Sequence, residues 1–259
     1  MATPIHFTLL QKEPIGPTTD QLKRAFKTFI NLTDADAVRL AVGAHGILMK
    51  HLGQDTARAL QLALQAEGVG VAMVAENNLP NLPEAQSLNQ LEPWPQALTV
   101  YDPLGRPVTI AWPDVALVAA GAAQHLEFNK TQTELIRRQH QAAAGARTNS
   151  GATGPKIESG SQLLLELLLS GGAVRYQIDA AEFKFKRVID RPGLSLEEKF
   201  IWLVREICHH ATHATLNSGA RSLHQGGQIV PVYPNRRLLD DEMVWLLWRS
   251  AGQTRRQAP

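Results

Sequence analysis

YDPLGRPVTIAWPDVALVAAG at residues 101–121 and LLLELLLSGGAVRYQIDAAEF at residues 163–183 decide how this chain folds. In the first stretch ALTVYD reads as a strand, Pro103-Leu-Gly105 as a turn, and PVTIAW as the antiparallel return. Trp112-Pro-Asp then turns the chain into the apolar run VALVAAG. In the second, residues 163–169 and 174–178 flank Ser170-Gly171-Gly172, a hairpin turn because glycine reaches positive φ without strain. The two halves read as pieces of one β-structure interrupted by an insertion. Between them, residues 130–160 (QHQAAAGARTNSGATGPKIESG at its heart) show no apolar periodicity and predict a flexible loop.

A helix follows the second half. Ser195-Leu-Glu-Glu198 spells a capping box, in which Ser195 accepts from the third helical amide and Glu198 reaches back. Leu196, Phe200, Leu203, Val204, Ile207, Ala211 and Ala214 recur at spacings of three and four, the stripe of an amphipathic helix. GRPVTIAWPDV, with its strand running into a Trp-x-Asp step, and the later YQIDAAEF strand with a terminal helix give residues 98–215 a further meaning. Together they resemble a bacterial pleckstrin-homology-like domain. The resemblance implies a split, bent β-barrel capped by a helix, and a role in binding or scaffolding. Arg106 is the one basic residue in the 103–107 turn, so a lipid headgroup is not the expected ligand.

The first seventy-eight residues predict a separate α+β module. HFTLL is a short strand bounded by Pro4 and Pro14. Thr18, Thr19 and Asp20 offer a cap for a helix with Leu22, Ala25, Phe26 and Phe29 on one face. LTDADAVRLAV at residues 32–42 predicts a second helix, and a third from Asp55 aligns Ala57, Leu60 and Leu64. Gly68 suits the left-handed position after it, and GVAMVA is a closing strand. This order, carried by Leu32, Ala37, Leu40, Ala57, Leu60, Leu64 and Gly68, resembles the C-terminal domain of the ribosomal stalk protein and the Clp protease adaptor fold. The resemblance implies a fold only. Asp34, Asp36 and Val38 stand where the stalk protein carries lysines, so no ribosomal role follows.

Residues 79–97, with Pro80, Pro83, Pro93 and Pro95, read as a proline-rich linker. Residues 216–259 read as a C-terminal extension carrying one short helix, LLDDEMVWLLWRSAG, which Asp240 or Asp241 would cap, with residues 252–259 frayed. The whole is an α+β protein of two modules.

Composition narrows the function. Apolar residues at 44% and charged residues at 19% describe a chain able to bury a core. A net charge of +2, with Arg137-Arg138, Arg236-Arg237 and Arg255-Arg256 scattered, gives no nucleic-acid footprint. Cys208 is the single cysteine, so no internal disulfide argues for an oxidising compartment. The start MATPIHFTLLQKEP lacks a secretory n-region, and the apolar runs are too short to span a bilayer, with Glu166 inside one. A cytoplasmic protein without membrane or nucleic-acid partners is expected.

Chemistry-bearing motifs are few. His209 and His213 in CHHATH are i, i+4 neighbours if the helix continues, and could then grip one metal from one face. A carboxylate inside the pair, as a metallohydrolase needs, is missing. Cys208 and His209 point about 100° apart on a helix, so they form no activated thiolate pair. GATGPK lacks the Gly-Lys-Ser/Thr of a phosphate loop. Met243, Trp245 and Trp248 cluster on the last helix, which offers a helix-in-groove partner face if exposed and a docking face if not. With no catalytic constellation and no cofactor motif, the sequence predicts a non-enzymatic binding or adaptor protein with a protein partner. The alternatives are a metal protein centred on His209 and His213, and a homo-oligomer subunit joined through residues 243–248.

Overall fold

The computed structural model describes residues 5–14, 16–27, 38, 46–126, 159–189 and 193–257. Strand β1 (Phe7–Gln11) is the centre of a three-stranded antiparallel sheet, between β2 (Ile47–Leu52) and β3 (Val71–Ala75). Helix α1 (Thr19–Lys27) starts on a reciprocal cap, Gln21 N donating to Thr18 Oγ1 at 3.3 Å and Thr18 N to Gln21 Oε1 at 2.9 Å. Helix α2 (Gln54–Ala66) buries Ala57, Leu60 and Leu64 as its stripe requires, and Gly68 follows at φ +76°. Both helices cover one sheet face with Leu9, Leu22, Phe26, Leu48 and Leu52. Phe29, and all of the helix expected over residues 32–42 except Val38, lie outside the described residues. Strand β2 corrects the expected element order. ILMKHL hides from a period-two reading because both its faces meet apolar layers: Leu48 and Leu52 face the helices, whereas Ile47 enters a different core.

The two halves of the split pattern pair directly. Strand β8 (Val115–Leu126) runs antiparallel to β9 (Ser159–Leu169), from Val115↔Leu169 to Leu126↔Ser159. Beyond β9 come β10 (Arg175–Asp179), antiparallel, and β4 (Ala85–Ser87), parallel to β10. On the other side of β8, β11 (Thr215–Leu216) and β12 (Val232–Tyr233) both pair in parallel. The insertion therefore lies between the two strands in sequence at the end of the ribbon where Leu126 pairs with Ser159. The expected loop over residues 130–160 lies outside the described residues up to its end, where Ser159 and Gly160 already belong to β9.

This sheet is open, and among the described residues none of the three sheets closes into a barrel. That corrects the barrel expectation, and burial explains it. Val118, Ala120, Ala122, Leu165 and Leu167 enter one core, while Leu117, Ala119, Ala123, Leu164 and Leu168 enter another. Strands buried on both faces read as continuous apolar runs. An open sheet between two layers satisfies them.

The stretch expected as a linker is part of the fold. Strand β5 (Leu91–Pro93) pairs with β6 (Leu98–Tyr101), which pairs with β7 (Pro107–Ile110), and Leu88 and Leu91 are buried. Pro93 and Pro107 sit on the two edge strands of this small sheet, where a missing N–H removes no ladder bond. The 103–107 turn is held by Asp102, whose Oδ1 accepts from Leu104 N and Arg106 N, each at 2.9 Å.

Helix α3 (Leu196–His210) carries the capping box, Glu198 N donating to Ser195 Oγ at 3.2 Å and Ser195 N to Glu198 Oε2 at 2.7 Å. It packs with helix α4 (Ser218–His224) into the first core. Helix α5 (Arg236–Gln257) is no short extension. It starts where Leu238 N donates to Asn235 Oδ1 at 3.1 Å, ahead of the expected Asp240 or Asp241 cap, and stays helical past residue 252. Leu239, Met243, Trp245 and Leu246 share a core with Leu117 and Leu168 of the central ribbon and with Leu10 and Ile47 of the N-terminal sheet. Apolar residues crowd α5 on several sides because it lies between two sheets. Tyr233 packs over Gly121, where a Cβ would stand 2.3 Å from the ring.

A carboxylate is buried beside this second layer. Glu166 is fully buried on β9, its Oε2 accepting from Arg175 Nε at 2.9 Å, while Oε1 makes no hydrogen bond and faces Arg236 Nη2 at 3.5 Å. Arg175 also binds Asp240 on α5. Burial raises the Glu166 pKa above its ordinary value, against the opposing pull of Arg175. A raised carboxyl pKa favours the fold below its ordinary value, and that contribution is lost as pH rises through the folded value. Arg175→Met removes the main counter-charge and pushes the folded pKa higher still. The variant should lose about 3–5 kcal/mol at pH 7, and clearly less at pH 5, in urea unfolding compared with the wild type at each pH. An equal loss at both values would show that Glu166 is not the cause.

Candidate functional site

Pro93-Trp94-Pro95 turns the chain from β5 into β6, and neither proline has an N–H to give to a ladder. The backbone there is pinned. Trp94 N donates to Ala97 O at 3.0 Å, and the Trp94 carbonyl accepts from Ala97 N at 3.2 Å and from the Trp112 indole at 2.9 Å. Trp112 is itself buried and stacks on His210 at 5.1 Å, with Glu206 3.2 Å from His210 Nε2. Held this way, Trp94 remains 54% exposed.

Facing it is Trp202 on α3, half-buried beside the stripe formed by Phe200, Leu203, Val204 and Ile207. Val188 stands next to it, after a short 3-10 turn (Phe185–Arg187). Glu92, Pro93, Trp94, Val188 and Trp202 line a cleft of about 90 Å³. Among the described residues the two indoles make no ring contact with each other, and both line the cleft. Substrate pockets usually enclose about 300–1,000 Å³. This one has the size of a side chain.

The residues singled out from sequence are placed elsewhere. Helix α3 ends at His210, and Ala211 leaves the helical region at ψ 57°, so His213 lies in the following turn. His209 and His213 are both exposed but are not i, i+4 neighbours on a helix, which removes the geometry expected for a shared metal. Among the described residues no group of three or more His, Cys, Asp or Glu side chains is placed to hold a metal ion. His210, between them, serves as the plate under Trp112. Cys208 is buried, and burial pushes its thiol pKa up to about 12.

Met243 and Trp245 are covered by the protein's own sheets, and Trp248 is half-buried against the same core. The Trp245 indole donates to Gln11 O at 2.7 Å, and its ring fills the space where a Cβ on Gly46 would stand, 2.1 Å away. The expected partner face is thus a docking face within the chain. Sequence reasoning passed over Trp94 and Trp202. Their signal was a tryptophan between two prolines and a tryptophan off the buried stripe, where a polar residue normally stands.

The chain matches no family model, no curated protein and no solved structure. No described helix is long and apolar enough to cross a membrane.

Two outcomes follow from this geometry. Cys208 in the native protein should react with a thiol reagent at pH 8 more than about a hundredfold slower than in denaturant, since the thiolate is the nucleophile. Comparable rates would show that the thiol is accessible. Trp112→Phe, which drops the bond to Trp94 and leaves a small void where the larger ring stood, should cost at least about 0.5–1.5 kcal/mol in chemical unfolding. It should also alter the Trp94 indole NMR signal, and an unchanged signal would show that the bond does not set Trp94.

Proposed function

We propose that this chain is a non-enzymatic binding protein that receives a side chain of a protein partner between Trp94 and Trp202. The observation that carries the reading is a tryptophan 54% exposed on a pinned backbone, lining the same cleft as a second one. Large exposed aromatics on rigid supports are the usual anchors of recognition sites. The cleft suits one side chain rather than a cofactor, which favours a segment of polypeptide as ligand. The prolines on either side keep β5 short, so the partner's backbone has room to pass over the rim.

Selection of random peptides on the immobilised full chain tests this reading. Peptides enriched on the wild type should bind Trp94→Ala and Trp202→Ala at least about tenfold more weakly, the loss typical of a central interface residue. Both variants would be checked for unchanged thermal unfolding. If no peptide is enriched, or if the enriched ones ignore both substitutions, the groove is not the binding site.

A further inference from the structure

Glu92 lies on the rim of the cleft, half-buried on β5 and opposite Thr99 on β6. Among the described residues the other carboxylates at this depth all have partners. Glu67 binds Arg24, Glu76 binds Thr8 and His51, Asp102 binds Arg106, and Asp179 binds Gln162. Glu206 binds His210, Asp240 binds Arg175, and Asp241 binds Lys50. Among the described residues Glu92 is the one half-buried acidic side chain with neither a hydrogen bond nor an ion pair. A carboxylate partly withdrawn from water gains by meeting a cation.

The neighbouring groups ask for the same charge. Indole faces attract a cation through the ring quadrupole, and tryptophan does so best. Pro93 and Val188 add apolar walls that suit methylene groups. Long basic side chains combine these properties, with an apolar stem and a charged head.

Resting on the reading of the groove as a protein-binding site, we infer that its ligand is a basic side chain of the partner segment. The stem lies between Trp94 and Trp202, and the charged head meets Glu92. The partner is therefore a polypeptide that presents a lysine or arginine from an extended stretch.

Titration of the full-length protein with capped single residues tests this directly. The probes are N-acetyl-lysine amide, N-acetyl-arginine amide and the neutral N-acetyl-norleucine amide, read on the indole N–H signals of Trp94 and Trp202. At least one cationic probe should shift both signals saturably, and norleucine should bind about three- to tenfold more weakly. Glu92→Gln should weaken the cationic probe about two- to fivefold, leave norleucine unchanged, and keep the other indole signals in place. Added salt should weaken the cation alone. Norleucine binding as well as the cations, or a Glu92→Gln variant that binds them equally, overturns the inference and leaves the groove reading standing. Shifts by no probe also overturn it, while the peptide selection decides the groove independently.

Discussion

The β8–β9 ribbon is apolar on both faces, and that constraint organises everything around it. Ala120 and Leu167 point to one side, Ala119 and Leu168 to the other, and all four are buried. Neither face can be left to water, because each large side chain covered is worth about 1.5–3 kcal/mol. One face takes α3, α4 and the β5–β6–β7 sheet. The other takes α5, with the N-terminal sheet behind it through Leu10, Ile47 and Trp245. A module that looks independent in sequence becomes a wall of the second core.

Burying a sheet this completely obliges its edges to be satisfied too. On the outer side of β8, β11 pairs as far as Val118 and β12 resumes at Ala122. The gap at Ala120 is closed by a side chain: Asn217 Oδ1 accepts from Ala120 N at 2.9 Å, and Nδ2 donates to Ala120 O at 3.1 Å. The amide of asparagine thus copies a strand's peptide group. The same oxygen accepts from Ala220 N at 2.8 Å, so one residue completes the sheet and caps α4. Its amide also donates to the Tyr233 hydroxyl at 3.0 Å, which donates in turn to Glu242 of α5 at 2.5 Å. Burial, and then the Glu242 charge, raise the pKa of that phenol, so it stays a donor. A fully partnered network of this kind specifies one arrangement of its elements.

What the sequence discloses depends on whether the information is local. The hairpin turn at Gly171-Gly172, the Ser195–Glu198 box and the Leu60–Leu64 stripe are local, and all three stand in the structure. Two-residue strands such as β11 and β12 carry no pattern, because the ladder is supplied by their partner β8, at Leu117–Val118 and at Ala122–Ala123. The α5 start was misplaced because Asp240 and Asp241 resemble caps, whereas each meets a cation more than sixty residues away in sequence. Proline density made residues 79–97 look irregular, since nothing local reveals that Pro93 lies on an edge. The site was hidden for the same reason. Trp94 and Trp202 are over a hundred positions apart, and only the packing of α3 against β5 brings them to one cleft.

That packing also fixes the walls of the cleft. Leu91, next to Glu92, is fully buried, and so are Leu203 and Val204, next to Trp202. Glu92 and Trp202 are therefore half-buried neighbours of core anchors, on elements fixed by the first core. Trp94, whose turn has fewer such anchors, is held by the Trp112 indole instead, and Trp112 by His210 at the end of the same α3. Both walls thus refer back to one helix. A site whose walls share a support loses little freedom on binding, and rigid presentation lets a small contact area bind usefully. His210, which lies between the two histidines expected to share a metal, does its work as a spacer behind the groove.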